Sequence, residues 1–340
     1  VIRRDLTFPR SRRSATAGPI QIVATASSGD GRAALTAQRM CSLLADRGHP
    51  AQARCFANLA EFREWGRQCA MAFSHLVCVG GDSTQSAGAE AAMRAGVPLI
   101  PVPTGFGNVF ARTFGHDDRP PGIVDLIERG IRCRVDVGRV GPQVFLCHRS
   151  YGFLDDIQSA VERRRPPRGR LDRHLAYYAM AFQTLRDTPL ASIQVDVDGA
   201  PVATGAALVT VANVETYRGF LTLTPGASPF DGLLDVCALA HASKGRLLAH
   251  LIALFLGLPG CWRGVGRWRG SRVAVSVRGR PREDLRVVAG ALTVVAPPAA
   301  AETLLPRGGA RDQVVGRAST AHPRERMATR TIRPTATHTA

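Results

Sequence analysis

Along the first 130 residues, short runs of consecutive apolar residues alternate with longer stretches of helical spacing. "IQIVATA" (20–26), "HLVCV" (75–79) and "VPLIPVP" (97–103) are too short for helices and read as buried strands, and "AQARCFA" (51–57) reads as another. Between them "AALTAQRMCSLLADRG" (33–48) places its apolar residues three and four apart and closes on a glycine. Residues 58–70 and the Ala-rich 84–95 predict two further helices. Strand, turn and helix in repeated alternation predict an open parallel α/β sheet, which places ligands at the carboxyl ends of its strands.

Near residue 131 the period shortens to two. "CRVDVGRV" (133–140), "SIQVDVDGAPV" (192–202), "GAALVTVANV" (205–214), "RVAVSVRG" (272–279) and "LRVVAGALTVVAP" (285–297) are β-rich segments between turn residues. With helical stretches only at 172–186 and 243–256, this half predicts a β-sandwich. The expected organisation is a basic lead (1–18), a nucleotide-binding α/β domain (19–137), a β-sandwich domain (138–305) and a basic tail (306–340), the lead and tail without periodicity and expected to be disordered.

Charge changes this picture little. Of the net charge of +17 over 340 residues, 13 units fall in residues 1–14, 162–173 and 306–340, outside any expected core. Basic tails and one basic loop do not make a recognition helix with interleaved aromatics, so nucleic acid is not an expected partner. The eight cysteines form no C-x-x-C pair. Cys41, Cys55, Cys78 and Cys237 stand among apolar neighbours, which predicts buried thiols, a reducing cytosol and no zinc site. The longest apolar run, Leu247–Leu258, is broken by His250 and falls short of the ~20 residues a membrane span needs, so a packed helix is expected. No signal peptide is expected, because no apolar run follows the basic N-terminus. The expected location is cytoplasmic, with contact at the inner face of the membrane. The sequence leaves a homodimer open.

The chemistry gathers where strands end. "LVCVGGDSTQ" (76–85) runs from a strand into Gly80, Gly81, Asp82, Ser83 and Thr84, and "PVPTGFGNVFART" (101–113) from another strand into Thr104, Gly105, Gly107 and Asn108. Glycines there let a backbone approach a polyphosphate, and the following helix N-terminus favours anions. A carboxylate beside phosphates suits either a magnesium ion or a base for an attacking hydroxyl. A plain strand-to-helix turn with Asp82 or Ser83 as N-cap is the structural alternative.

The strand-GGDST turn followed by P-T-GFGN-VFAR resembles the GGDGT and P-x-GTGNDFAR signatures of the diacylglycerol kinase catalytic-domain family, which includes bacterial lipid kinases and sphingosine and ceramide kinases. "RSYGFLDDI", "RPPRGRLDRHLAYYAMAFQTL" and "VTVANVETYRGFLTLTPGASPFDGLLDV" are similar to that family's later segments, so the resemblance spans roughly residues 20–300 in order. It implies an N-terminal nucleotide domain, a C-terminal β-sandwich domain, ATP and Mg2+, and a lipid hydroxyl as phosphoryl acceptor. Ser28, Gly29, Gly80, Gly81, Asp82, Ser83, Thr84, Gly105, Gly107 and Asn108 match positions that hold the ATP phosphates. Asp231, with the carbonyls of Ser228 and Leu233, matches a magnesium site in DGLLDV. A hairpin turn at Asp231-Gly232 is the structural alternative.

Several departures fall on chemistry. Thr25 and Ala26 replace an Asn-Pro pair, Ser83 a third glycine, Phe106 a threonine and Val109 an aspartate, while Tyr217-Arg218-Gly219-Phe220 replaces a glycine run. If position 83 needs positive φ, serine there costs about 1–2 kcal/mol. Arg278 and Arg280 stand where the bacterial members carry two acids, and arginine is no base at physiological pH. Glu283 and Asp284 lie near, but a loop shift of three or more residues separates them from that role. Asp82 is therefore the expected base, and Asp155 and Asp156 are expected in a loop or N-cap. The function expected is an ATP-dependent lipid kinase acting on a diacylglycerol- or sphingoid-like acceptor, with Arg163–Arg170 against anionic headgroups. The alternatives are a nucleotide- or lipid-binding member with impaired catalysis and, more weakly, an NAD kinase-like activity.

Overall fold

The computed structural model describes residues 18–26, 28–69, 72–105, 107–164, 170–217, 221–240, 243–255, 264–304 and 314–317. Four parallel strands open the fold: β1 (Ile20–Thr25), β2 (Ala51–Phe56), β3 (His75–Gly80) and β4 (Leu99–Pro103), in spatial order β2-β1-β3-β4. β1 and β3 are buried along their whole length, which accounts for their unbroken apolar runs. β2 is the edge strand, so Cys55, expected inside, is exposed, and Cys41 is only partly covered; Cys78 and Cys237 are buried as expected.

Helices cover both faces. α1 (Arg32–Asp46) and α5 (Pro120–Arg129) pack Met40, Leu44, Ile123 and Ile127 against Ile22, Val77 and Val79. α2 (Leu59–Gln68) and α3 (Asp82–Ala95) pack Phe62, Ala89 and Ala92 against Val23, Leu76 and Cys78. The short α4 (Val109–Thr113) follows β4. The sequence reading named no helix at α5, although Pro120-Pro121 at its start and the apolar pairs 123/124 and 126/127 are helix signals. Because the strand order reverses between β1 and β3, a crevice opens at their carboxyl ends.

The second half runs β5 (Ile131–Val140), β6 (Gln143–Phe145), β7 (His148–Gly152), α6 (Phe153–Arg164), α7 (Arg170–Asp187), β8 (Ile193–Val197), β9 (Ala200–Ala212), β10 (Thr216–Tyr217), β11 (Leu221–Thr222), β12 (Leu234–Ala240), α8 (Lys244–Phe255), β13 (Val265–Gly270), β14 (Arg272–Val277), β15 (Glu283–Ala296), α9 (Pro298–Leu304) and β16 (Val314–Arg317). β9 pairs with β8 over its first half and with β12 and β7 over its second. Gly205, at φ 73°, lets the strand change partners. The two layers close on Val195, Val209, Val236, Val275 and Leu285. The fold is thus an open parallel α/β unit followed by a β-sandwich, as the alternation predicted.

The two units share strands. The boundary placed between residues 137 and 138 falls inside β5, and β15 runs from β14 in the sandwich to a parallel contact with β4 at Val294–Leu99. The His116 ring adds a tie, with its two nitrogens 2.8 Å from the carbonyl oxygens of Pro101 on β4 and Val295 on β15. The apolar run from Leu247 to Phe255 lies in α8, with Leu247 fully buried beside Leu208 and Leu239, and its last residues, 256–258, lie outside the described residues. No helix among the described residues is long and apolar enough to cross a membrane.

Candidate active site

The crevice is built from two backbone turns. After β1 the chain enters a tight turn, Ser28–Gly31, which contains Gly29. Ser28 Oγ accepts the Gly81 N–H at 3.1 Å, joining the end of β1 to the end of β3. Thr104 N–H donates to the Gly80 carbonyl at 3.3 Å and joins β4 to the same point. A Cβ placed on Gly105 would lie 2.6 Å from the Gly81 Cα, so the two glycine turns meet backbone against backbone. Asn108 fixes the second turn from a left-handed conformation (φ 50°), which asparagine tolerates. Its Oδ1 accepts the Gly105 N–H and its Nδ2 donates to the Gly105 carbonyl, both at 2.7 Å. Gly107 is partly exposed beside this clamp. Phe106, and Arg218 to Phe220, lie outside the described residues.

Helix ends supply positive potential. Gly31 caps α1 and Gly81 caps α3, neither with a side-chain hydrogen bond. α2 differs: Asn58 Oδ1 accepts the Glu61 N–H at 3.0 Å while the Glu61 carboxylate takes the Ala57 N–H at 2.8 Å. The helix starting on an edge strand is capped by its own side chains, whereas α3, at the crevice, has no side-chain cap on its first N–H groups, which suits an anion there. Thr104 Oγ1 is buried without a hydrogen-bond partner among the described residues. Free N–H groups, an unpartnered hydroxyl and a glycine floor fit a polyphosphate.

Two sequence expectations change here. Ser83 is exposed at the second position of α3 and does not have positive φ, so the strain considered for it does not arise. Thr84 is buried, packed on Gly80, with its hydroxyl 3.2 Å from the Thr25 hydroxyl. Its side chain serves the β1–β3 contact, which leaves only its backbone for a phosphate.

Asp82 opens α3, and its Oδ1 accepts the Phe110 N–H at 3.1 Å from the start of α4. The Cys147 thiol, from the loop between β6 and β7, approaches the same oxygen at 3.5 Å. Burial, then the charge of Asp82, pushes the Cys147 thiol well up, so it stays protonated and donates. None of the ion pairs among the described residues involves Asp82. Cys147 was not foreseen, since nothing in "VFLCHRS" sets its cysteine apart from a buried hydrophobe.

The DGLLDV turn is organised otherwise. Asp136, buried in the middle of β5, accepts the Gly232 and Gly290 N–H groups at 2.7 Å each, tying this turn to β15. An acid between two fully buried valines was the available signal for it. Asp231 Oδ1 accepts the Leu233 N–H at 3.1 Å and Oδ2 meets Arg269 Nη2 at 2.9 Å. Ser228 is half-buried in the same turn, just before Pro229, whose carbonyl accepts the Asp136 N–H at 2.8 Å. The residues expected to hold magnesium are together, but the Asp231 carboxylate already carries a guanidinium and a main-chain N–H. They do not fit a divalent cation.

Arg278 and Arg280, at the positions where the resemblance implies acids, lie on the β14–β15 hairpin. Arg280 Nη1 pairs with Asp155 Oδ2 at 2.9 Å, and the Arg278 N–H donates to the Ser192 carbonyl at 3.1 Å. Asp155 and Asp156 sit in the first turn of α6, a helix the sequence reading did not name. Glu283 is held at the start of β15 by the Tyr151 hydroxyl at 2.7 Å and Arg149 at 3.2 Å. Of the basic segment, residues 165–169 lie outside the described residues.

Residues 19–140 match the diacylglycerol kinase catalytic domain, and residues 155–305 match the YegS C-terminal NAD kinase beta sandwich-like domain. The chain is 28% identical over 189 residues to a diacylglycerol kinase of Mycobacterium tuberculosis strain H37Rv, covering 54% of this chain and 60% of that protein. It is 31% identical over 199 residues to a Pseudomonas fluorescens protein described as "Probable lipid kinase YegS-like", covering 56% and 64%. The aligned part thus spans about three fifths of these relatives. The crystal structure of a diacylglycerol kinase from Bacillus anthracis superposes with a TM-score of 0.61 at 16% identity, over 83% of this chain and 98% of that one, a likeness of fold. Matched by these two family models in consecutive order and similar to proteins named diacylglycerol kinase and probable lipid kinase, the chain is consistent with the diacylglycerol kinase catalytic-domain family.

Proposed function

We propose that the chain is an ATP-dependent lipid kinase that transfers the γ-phosphoryl group to a hydroxyl of a diacylglycerol- or sphingoid-like membrane lipid. One observation carries this reading: Asp82, with no basic partner among the described residues, stands at the start of α3, where no side chain caps the helix and two glycine turns touch. A triphosphate lies along the Gly80–Gly81 and Gly105–Asn108 turns and takes hydrogen bonds from the first N–H groups of α3 and from Thr104 Oγ1. The lipid hydroxyl oxygen bonds to the γ-phosphorus as the bond to the ADP oxygen breaks, and its proton passes to Asp82 Oδ2. Phe110 N–H and the Cys147 thiol hold Oδ1, so the other oxygen faces the acceptor. Magnesium supplies charge neutralisation as part of the nucleotide donor, and no step passes through the DGLLDV turn. The lipid meets the enzyme at the membrane surface, where the Arg163–Arg170 segment lies against anionic headgroups.

A second reading, a nucleotide- and lipid-binding protein without turnover, is favoured by Arg280, a hairpin cation that pairs with Asp155 of α6 where the family resemblance implies an acid. Radiolabelled ATP offered with diacylglycerol, sphingosine and ceramide in mixed micelles separates the two. Label in one lipid, abolished by Asp82→Asn, supports the kinase. ATP binding by calorimetry with no label in any lipid supports the binder.

A further inference from the structure

We propose that the guanidinium of Arg269 takes the place of a divalent cation at the DGLLDV turn, so that this chain orders the turn with a side chain of its own and needs no metal there. The inference rests on the turn alone and holds whether or not the chain transfers phosphate.

Register delivers the arginine. β12 and β13 pair antiparallel with Asp235 directly opposite Arg269, which puts both side chains on one face of the sheet. Arg269 Nε then donates to Asp235 Oδ1 at 2.8 Å. Its Nη2 donates to Asp231 Oδ2 and to the Gly226 carbonyl, each at 2.9 Å, with Asp235 Oδ2 at 3.4 Å. One nitrogen thus sits among two carboxylates and a main-chain carbonyl. Hard divalent cations select this all-oxygen set, and they need several such oxygens at roughly 2.0–2.6 Å. With Nη2 already at 2.9 Å from two of them, a metal ion has no room at the same point.

The other carboxylate oxygens at the turn are also engaged. Asp231 Oδ1 holds the Leu233 N–H, and both Asp136 oxygens hold glycine N–H groups. Arginine suits the post because its fork is planar and its charge permanent, so the turn keeps its cation at any physiological pH and any magnesium concentration. A lysine would offer a point charge without the second, parallel bond to Asp235.

Manganese titration of the nucleotide-free chain tests this, with free Mn2+ read by electron paramagnetic resonance. Wild type and Asp231→Asn should give superimposable isotherms, since Asp231 takes no metal. Arg269→Gln, which leaves Asp231 and Asp235 facing each other uncompensated, should bind Mn2+ about tenfold tighter or more, and Mg2+ should raise its melting temperature by a few degrees, as any ligand specific to the native state does. A wild-type site that binds one Mn2+ and loses it in Asp231→Asn overturns the inference, because metal and guanidinium then coexist. So does an Arg269→Gln chain that folds yet gains no affinity. Should Arg269→Gln fail to fold with or without Mg2+, the comparison of wild type with Asp231→Asn decides by itself.

Discussion

Asp82 and Asp231 each sit beside a glycine where a strand meets a turn, and both belong to the most recognisable segments of the chain. Among the described residues, Asp82 meets two weak donors, a main-chain N–H and a thiol, and no cation pairs with it. Around Asp231 a guanidinium, itself bonded to Asp235 and Gly226, offsets part of the charge. On the proposed reading the first carboxylate receives a proton beside a phosphate, while the second carries a guanidinium and a main-chain N–H. A glycine–aspartate turn therefore says little until the register of distant strands shows what reaches its carboxylate.

The largest effect that can break this contrast is catalytic. Asp82→Asn keeps an oxygen for the Phe110 N–H, so the fold stays intact while the base is lost. Steady-state assay should show kcat lower by about 10²–10⁴-fold, with ATP affinity by calorimetry little changed. A kcat within about threefold of wild type would place the base elsewhere and remove the distinction between the two aspartates.

Asp136, which pins the second turn, comes next. Its asparagine variant puts an amide N–H against the N–H of Gly232 or Gly290, and unfolding in urea should show a loss of about 2 kcal/mol. The change should depend on pH. Burial raises the Asp136 carboxyl above its ordinary 3.8, with the two glycine N–H groups drawing it back and Asp231 adding to the rise. Between 3.8 and that raised value the native chain keeps a proton that the unfolded chain has released, so this contribution to stability falls as pH climbs. The gap between wild type and Asp136→Asn should thus be widest in acid and narrow as pH rises. A gap independent of pH would mean that the carboxyl titrates alike in both states.

One substitution made in both turns sharpens the comparison further. On Gly105 a methyl group would sit 2.6 Å from the Gly81 Cα and 3.0 Å from Asn108 Oδ1, so alanine pushes the two turns apart. The expected result is a KM for ATP raised about tenfold, or about 1.4 kcal/mol. On Gly232 the nearest atom is 3.9 Å away, but φ is +72°. Alanine there should cost about 1–2 kcal/mol of stability through backbone strain and leave the KM for ATP alone. If both variants shift KM equally, the second turn also touches the nucleotide.

Much of this layout was legible in the residues. The alternation of strands and helices located β1 to β4, and Gly80, Gly81, Gly105 and Asn108 pointed to the crevice because glycine-bearing turns follow β3 and β4. What stayed hidden depends on pairing between residues far apart in the chain. Cys147 reaches Asp82 across 65 positions, Arg269 reaches Asp235 across 34, and Gly290 reaches Asp136 across 154, each through a register that no local pattern encodes. Thr84 misled for a different reason: a hydroxyl after a glycine turn suits a phosphate, but α3 starts at Asp82 and rotates position 84 inward onto Thr25. The helix at α6 was obscured by its motif, since "GFLDDI" reads as a loop signature although Phe153, Leu154 and Ile157 mark a buried helical face.

The smallest effect concerns the pair that makes Asp231 different. Arg269 bridges Asp231 and Asp235 unequally: the Asp235 side chain is 9% exposed and the Asp231 side chain 29%, while the arginine itself is 47% exposed. Water screens the outer contact more than the inner, so its coupling should be under about 1 kcal/mol, the range for exposed ion pairs. Double-mutant cycles on unfolding free energy, pairing Arg269→Gln with Asp231→Asn and then with Asp235→Asn, should give the larger coupling for Asp235. The direction follows from burial, because removing the guanidinium leaves Asp235 charged where burial already pushes its carboxyl upward. A larger coupling for Asp231 would make the outer carboxylate the main anchor of the guanidinium, and the contrast with Asp82 would then rest on a strong ion pair rather than on a positive charge stationed there mainly by Asp235.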